Sequence, residues 1–127
     1  MKLHLTTSAT QKMFTASGAG YVSVNSQRYT HPVVVMPDQV LTDWQPAFET
    51  LNESHFDTLL ALQPEVLLLG TGDTLRFPAP ALYRKLIAAR IGVECMDTPA
   101  ACRTYNILMA EGRKVVAAVL VSSANKD

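Results

Sequence analysis

Between residues 65 and 121 apolar runs alternate with amphipathic stretches, and that alternation restricts the fold more than any other feature of the chain. The run Glu65–Leu69, bounded by Pro64 and Gly70, has the continuous apolar character of a strand covered on both faces. Pro78–Arg90 carries Leu82, Leu86, Ile87 and Ala89 at helical spacing, with Gly92 placed to cap its end. Val93–Met96 is the next strand. Asp97 or Thr98 then caps a helix with Pro99 near its first position, which runs through Ile107 and Leu108 and stops at Gly112. Lys114–Val121 is a final apolar strand. A helix before residue 65, with Ser54 as its N-cap and Phe56, Leu59, Leu60 and Gln63 at helical spacing, ends at Pro64. Strand–helix–strand–helix–strand of this length implies parallel strands joined by crossovers, with helices on the sheet faces.

The first half reads differently. Lys12–Thr15, Tyr21–Val24, Arg28–Met36 and Gln39–Trp44 are short strand candidates. They are separated by the small Ser17-Gly18-Ala19-Gly20 link, by Asn25-Ser26-Gln27 and by Pro37-Asp38, an antiparallel hairpin pattern in which Pro32 marks a strand start, an edge or a bulge. The expected architecture is a single α/β domain over residues 1–127: three layers, a central mixed sheet, an N-terminal hairpin region and helices packed on the faces. Its core spans about 12–121 and residues 122–127 form a loose tail.

Composition excludes several functions. Eleven basic residues balance eleven acidic ones, and no Lys/Arg run makes the positive surface that nucleic-acid phosphates require. The start, Met1-Lys2-Leu3-His4-Leu5-Thr6, is too short and polar for a signal-peptide core. Val115–Val121 is only seven residues, against roughly 20 for a membrane span. Cys95 and Cys102 have no second Cys/His pair at ligand spacing, so neither a zinc site nor a disulfide scaffold is expected. No cofactor motif is present, and the expectation is a soluble cytoplasmic protein.

In an open α/β sheet, ligands favour the crevice beyond the carboxyl ends of the strands. Two loops qualify. Gly70-Thr71-Gly72-Asp73 follows the strand that ends at Leu69, but it lacks the Gly-Lys-Ser/Thr ending of a phosphate loop. It fails the dinucleotide pattern as well, since Leu75 stands where the third glycine belongs. A tight turn that needs glycine for shape is the plainer reading. The second loop, from Met96 to Asn106, opens a helix whose unpaired N–H groups and positive dipole end point at the crevice. Asp97, as a cap, would consume those donors. Thr98, Cys102 and Asn106 share a helix face, and Arg103 on the next stripe could pair with Asp73, Glu94 or an external anion.

Cys102, in the first turns of a helix beside Arg103, could be a reactive thiol. Its alternative is a small buried apolar filler, and no His lies near it in sequence to act as base. Cys95 reads as core. Tyr105 could orient a ligand or pack. Trp44, near Pro46 and Phe48, is either an exposed recognition residue or a buried one. Glu111-Gly112-Arg113 reads as a solvated helix end. No paired carboxylates or nucleophile–base pair emerge, so no catalytic residue is assigned.

Taken together, several segments resemble a widespread uncharacterised family of small bacterial, archaeal and mitochondrial proteins. They are Gly18-Ala19-Gly20-Tyr21, Trp44, Leu68-Leu69-Gly70-Thr71-Gly72, Glu94–Thr98 with Thr104–Leu108, and Glu111-Gly112-Arg113. The likeness covers residues 12 to 121. It implies a three-layer α/β fold with a central mixed sheet. The family's mitochondrial members are assembly factors for respiratory complex I that work through protein partners, and it supplies no established catalytic residues. Ala19 departs from the large residue that the family often has in the early glycine segment.

Two functions follow as expectations. One is a non-enzymatic interaction or assembly factor with protein partners. The other is a small-ligand or anion-binding protein, or an enzyme, that uses the crevice between Gly70–Asp73 and Asp97–Asn106.

Overall fold

The computed structural model describes residues 11–122; the expectations for the first residues and for most of the tail fall outside them. The described residues hold two sheets, three α-helices and two short 3-10 turns. β1 (Phe14–Gly18), β2 (Tyr21–Val24) and β3 (Gln27–Tyr29) form a small antiparallel sheet in that order. β4 (Val33–Met36), β5 (Gln39–Leu41), β6 (Val66–Gly70), β7 (Gly92–Met96) and β8 (Val115–Val119) form the main sheet, ordered β5-β4-β8-β6-β7. β6 runs parallel to both β7 and β8, while β4 is antiparallel to β5 and β8, so the sheet is mixed. The helices are α1 (Glu53–Leu60), α2 (Arg84–Ala88) and α3 (Thr98–Ala110).

The central strands of the main sheet, β4, β8 and β6, are buried on both faces, and the period of two along each strand sorts their side chains. Val33 and Val35, Leu68, and Val115, Ala117 and Val119 face a core completed by Phe14, Val22 and Val24 of the small sheet and by Ala101, Cys102, Tyr105 and Met109 of α3. Val34 and Met36, Leu67 and Leu69, and Val116, Ala118 and Leu120 face the opposite core, which Trp44, Leu51, Phe56, Leu59 and Leu86 close. These are the three layers. A run such as Val115–Leu120 is continuously apolar because consecutive residues serve different cores.

Several boundaries differ from the sequence expectation. Ser17 and Gly18 belong to β1, and the hairpin turn is Ala19–Gly20 alone, with Gly20 at φ 80. The Arg28–Met36 candidate breaks into β3 and β4, which lie in different sheets, because Pro32 cannot donate to a ladder. The early strands are antiparallel hairpins divided between the two sheets, β1-β2-β3 in one and β4–β5 in the other. β5 stops at Leu41 rather than reaching Trp44.

Asn52, not Ser54, caps α1. Its Oδ1 accepts from the Ser54 amide at 2.9 Å and from the Ser54 hydroxyl at 2.6 Å, and Ser54 sits in the first turn. The helix ends at Leu60, and Gln63, with φ 54, turns the chain into Pro64. The expected 78–90 helix is a 3-10 turn, Pro80–Tyr83, followed by the short α2. Arg90 takes the left-handed conformation (φ 66) expected of Gly92, which instead opens β7. Among the described residues no helix is long and apolar enough to cross a membrane.

Candidate functional site

The carboxyl end of β6, the link from β7 into α3 and the end of β8 meet at one place, and Thr98 stitches them together. Its Oγ1 accepts from the Gly72 amide at 2.9 Å and donates to the Leu120 carbonyl at 2.8 Å. Its own amide donates to the Gly72 carbonyl at 2.8 Å, so Thr98 and Gly72 exchange two hydrogen bonds. Thr71 donates its N–H to the Met96 carbonyl at 2.9 Å, and Leu120 donates to the Gly70 carbonyl at 2.8 Å. A Cβ on Gly70 would lie 2.9 Å from Thr98 Oγ1 and 3.1 Å from Thr98 Cα, so glycine is needed there for close approach. Gly72, at φ +98, supplies the turn.

Asp97 caps α3 by accepting from the Ala100 amide at 2.9 Å, with Pro99 in the first turn. Further along α3, Tyr105 is fully buried, meets Phe14 edge-on at 5.3 Å and donates its hydroxyl to the Lys12 carbonyl at 2.8 Å. Burial, and secondarily the Asp38 carboxylate, push its pKa up. Asn106 accepts from the Phe14 amide at 2.9 Å and donates to the Phe14 carbonyl at 2.8 Å. Asn106 fastens the start of β1 to the helix, and Tyr105 fastens the residues just before it.

Cys102 is buried in the same core, and burial pushes its thiol pKa to about 12 despite the opposing influence of Arg103. Such a thiol holds its proton at neutral pH, when it is the thiolate that reacts. Cys95 is half-buried and also shifted upward, by burial first and Glu94 second. Among the described residues no group of three His, Cys, Asp or Glu side chains is placed to hold a metal ion.

The structure therefore brings Gly70, Thr71, Gly72, Asp97 and Thr98 together at the junction and sets Cys102, Tyr105 and Asn106 further along α3. Asp73 and Arg103 are exposed, and Arg103 pairs with neither Asp73 nor Glu94 within salt-bridge distance. Trp44 is buried and donates Nε1 to the His55 carbonyl at 3.0 Å.

Sequence reasoning did not single out Arg76. It lines a cleft of about 350 Å³ with Pro32, Pro46, Phe48, Leu120 and Ser122. Its guanidinium lies over the Phe48 ring at 4.3 Å, pairs with Glu49 at 3.1 Å and donates to the Thr71 carbonyl at 3.2 Å. Its Nε is buried with no hydrogen-bond partner among the described residues. A cation three residues beyond the glycine loop was a signal in the chain. Its stacking partner, 28 residues upstream, was not.

Residues 14–120 match the model of a family described as protein of unknown function (DUF498/DUF598). The 13 kDa major membrane protein of Francisella tularensis subsp. holarctica (strain LVS) is 34% identical over 98 residues, which are 76% of this chain and 80% of that protein. NADH dehydrogenase (ubiquinone) 1 alpha subcomplex assembly factor 3 of Bos taurus is 34% identical over 106 residues. That match covers 82% of this chain but 57% of the assembly factor, so the chain spans little more than half of that relative's length. The crystal structure of a Bordetella parapertussis protein superposes with a TM-score of 0.82 at 42% identity, covering 88% of this chain and 97% of that one.

Proposed function

Because the chain belongs to the DUF498/DUF598 family of proteins of unknown function, we propose that it is an interaction or assembly factor that works by presenting a rigid surface to protein partners. One observation carries this reading. Polar atoms at the junction and further along α3 are engaged inside the fold: Thr98 with Gly72 and Leu120, Asp97 with Ala100, Tyr105 with Lys12, and Asn106 with Phe14. Residues that looked like chemistry in the sequence act as fasteners. What faces outward is of a different kind: Arg103 and Ile107, one turn apart on α3, and Phe77, which is 69% exposed. Arginine and aromatic side chains are the types that dominate protein interfaces. Relatives that bear the name of NADH dehydrogenase assembly factors support the same reading.

The test is a strain that lacks the chain, complemented with wild type or with an Arg103→Ala/Ile107→Ala/Phe77→Ala variant. The proposal expects assembled NADH dehydrogenase on native gels to fall without the chain and to return with wild type only. It also expects crosslinking in the complemented strain to recover one reproducible protein partner. Unchanged assembly together with recovery of the chain alone would reject it.

A second reading rests on the Arg76 cleft, which has the size of a small-molecule site, although it is lined by neither Gly70–Asp73 nor Asp97–Asn106, the loops of the expected crevice. Its cation already carries Glu49, and the neighbouring helix N-terminus already carries Asp97. Those two carboxylates weaken the cleft as an anion receptor. A thermal-shift screen of small carboxylates and phosphates against wild type and Arg76→Met addresses it; stabilisation confined to wild type would favour this reading.

A further inference from the structure

The described sheets have four edges, and three of them are short or partly occupied. Asn106 takes both backbone groups of Phe14 on β1, and β3 and β5 are three residues each. β7 is different: it is five residues long, lacks proline, and has no strand outside it among the described residues. In a parallel ladder alternate residues bond to a given neighbour. Gly92 donates to the Glu65 carbonyl and Met96 accepts from the Thr71 amide, so Gly92, Glu94 and Met96 bond inward to β6. Val93 and Cys95 therefore direct their N–H and C=O groups outward. Their side chains pack into the core that α1 and α2 close. Glu94, in register with Leu68, stands exposed on the α3 side of the sheet.

We infer that the outer edge of β7 receives one extended segment of a partner protein, which adds a strand to the sheet and carries a basic side chain opposite Glu94. This rests on the reading of the chain as an interaction protein and names where and how a partner docks. Main-chain bonds to Val93 and Cys95 supply the attachment, and side-chain pairing across the new strand supplies selectivity. Charge decides the occupant. The two-fold pairing of two copies that uses all four outward groups sets Val93 opposite Cys95 and Glu94 opposite Glu94. Like charges directly opposed destabilise a strand pair, and a charged side chain on an edge is a common guard against self-association. A lysine or arginine in that position turns the same carboxylate into a selector.

The test titrates the whole chain with two capped peptides, Thr-Val-Lys-Val-Thr and Thr-Val-Glu-Val-Thr, while amide exchange is followed by NMR. The lysine peptide is expected to slow exchange of the Val93 and Cys95 amides by about tenfold at saturation, and the glutamate peptide far less. Glu94→Lys, at an exposed position that leaves the core intact, should reverse the preference. Glu94→Thr should form dimers by light scattering where wild type stays monomeric. Equal response to both peptides, protection confined to other residues, or a wild-type dimer that already protects Val93 and Cys95 would overturn the inference. Any of these leaves the interaction reading standing, because partner recovery from cells is measured separately.

Discussion

Asn106 serves Phe14 as a neighbouring strand would: across a separation of 92 residues one carboxamide accepts from its amide at 2.9 Å and donates to its carbonyl at 2.8 Å. An asparagine side chain presents the same donor and acceptor pair as a peptide unit. It ends the small sheet at β1 and joins that sheet to α3.

Replacing Asn106 by Ala should cost about 1–3 kcal/mol in urea unfolding, since two part-buried backbone groups lose their partners. Asn106→Asp keeps the acceptor and sets a carboxylate against the Phe14 carbonyl. Its loss at neutral pH should equal or exceed that of Ala, and part of it should return in acid as the carboxyl group gains a proton.

At the junction, Thr98→Val preserves shape and removes the hydroxyl that serves both Gly72 and Leu120. The expected loss is about 1–3 kcal/mol by chemical denaturation. Thr98→Ser should lose less, because the hydroxyl survives. Gly70→Ala should be destabilising in either background, since its Cβ meets the Thr98 backbone at 3.1 Å as well as the hydroxyl.

Cys102 links stability to alkaline pH. Its thiol ordinarily ionises near 9.0 and in the fold holds its proton to about 12. Above pH 9 the unfolded chain releases a proton that the folded chain keeps. The stabilisation is therefore complete below pH 9 and is lost as pH rises towards 12, at roughly 1.4 kcal/mol per pH unit. Burial raises Tyr105 in the same sense. Cys102→Ala should flatten the decline of urea midpoints between pH 9 and pH 11; an unchanged slope would contradict the assignment. The native wild-type thiol should also resist iodoacetamide at pH 8.

Arg90→Gly should stabilise the chain. A left-handed arginine costs about 1–2 kcal/mol, and the extra backbone freedom of glycine in the unfolded state offsets about 0.5–1 of that. Arg90 is exposed with no ion pair within salt-bridge distance, so little else is lost. A rise in Tm of a few degrees is expected.

The layered fold was legible because burial on both faces leaves continuous apolar runs, and Val66–Leu69 and Val115–Leu120 are such runs. Asp97 and Gly112 were legible as helix ends because capping is local. The left-handed position after α2 was misplaced because glycine is the usual occupant, and here Arg90 bears the strain two residues earlier. The break between β3 and β4 was half-written in Pro32, which shows an interruption but not a change of sheet. At the candidate site, the neighbourhood of Gly70 and Thr98 was readable from strand-end logic. The commitments of Tyr105 and Asn106 were not, since their partners lie more than 90 residues away. Nor was the Arg76–Phe48 stack, which depends on how the 44–51 segment drapes over the sheet.

The position of β8 has a consequence for synthesis. It is the last described strand to leave the ribosome, yet it lies at the middle of the main sheet, between β4 and β6. Until it emerges, the β4–β5 hairpin and the β6–β7 pair have no shared neighbour, and both cores lack their central residues. Before then the two strand pairs present open apolar edges to each other. Val115 to Leu120 fill the gap between them and complete both cores at once.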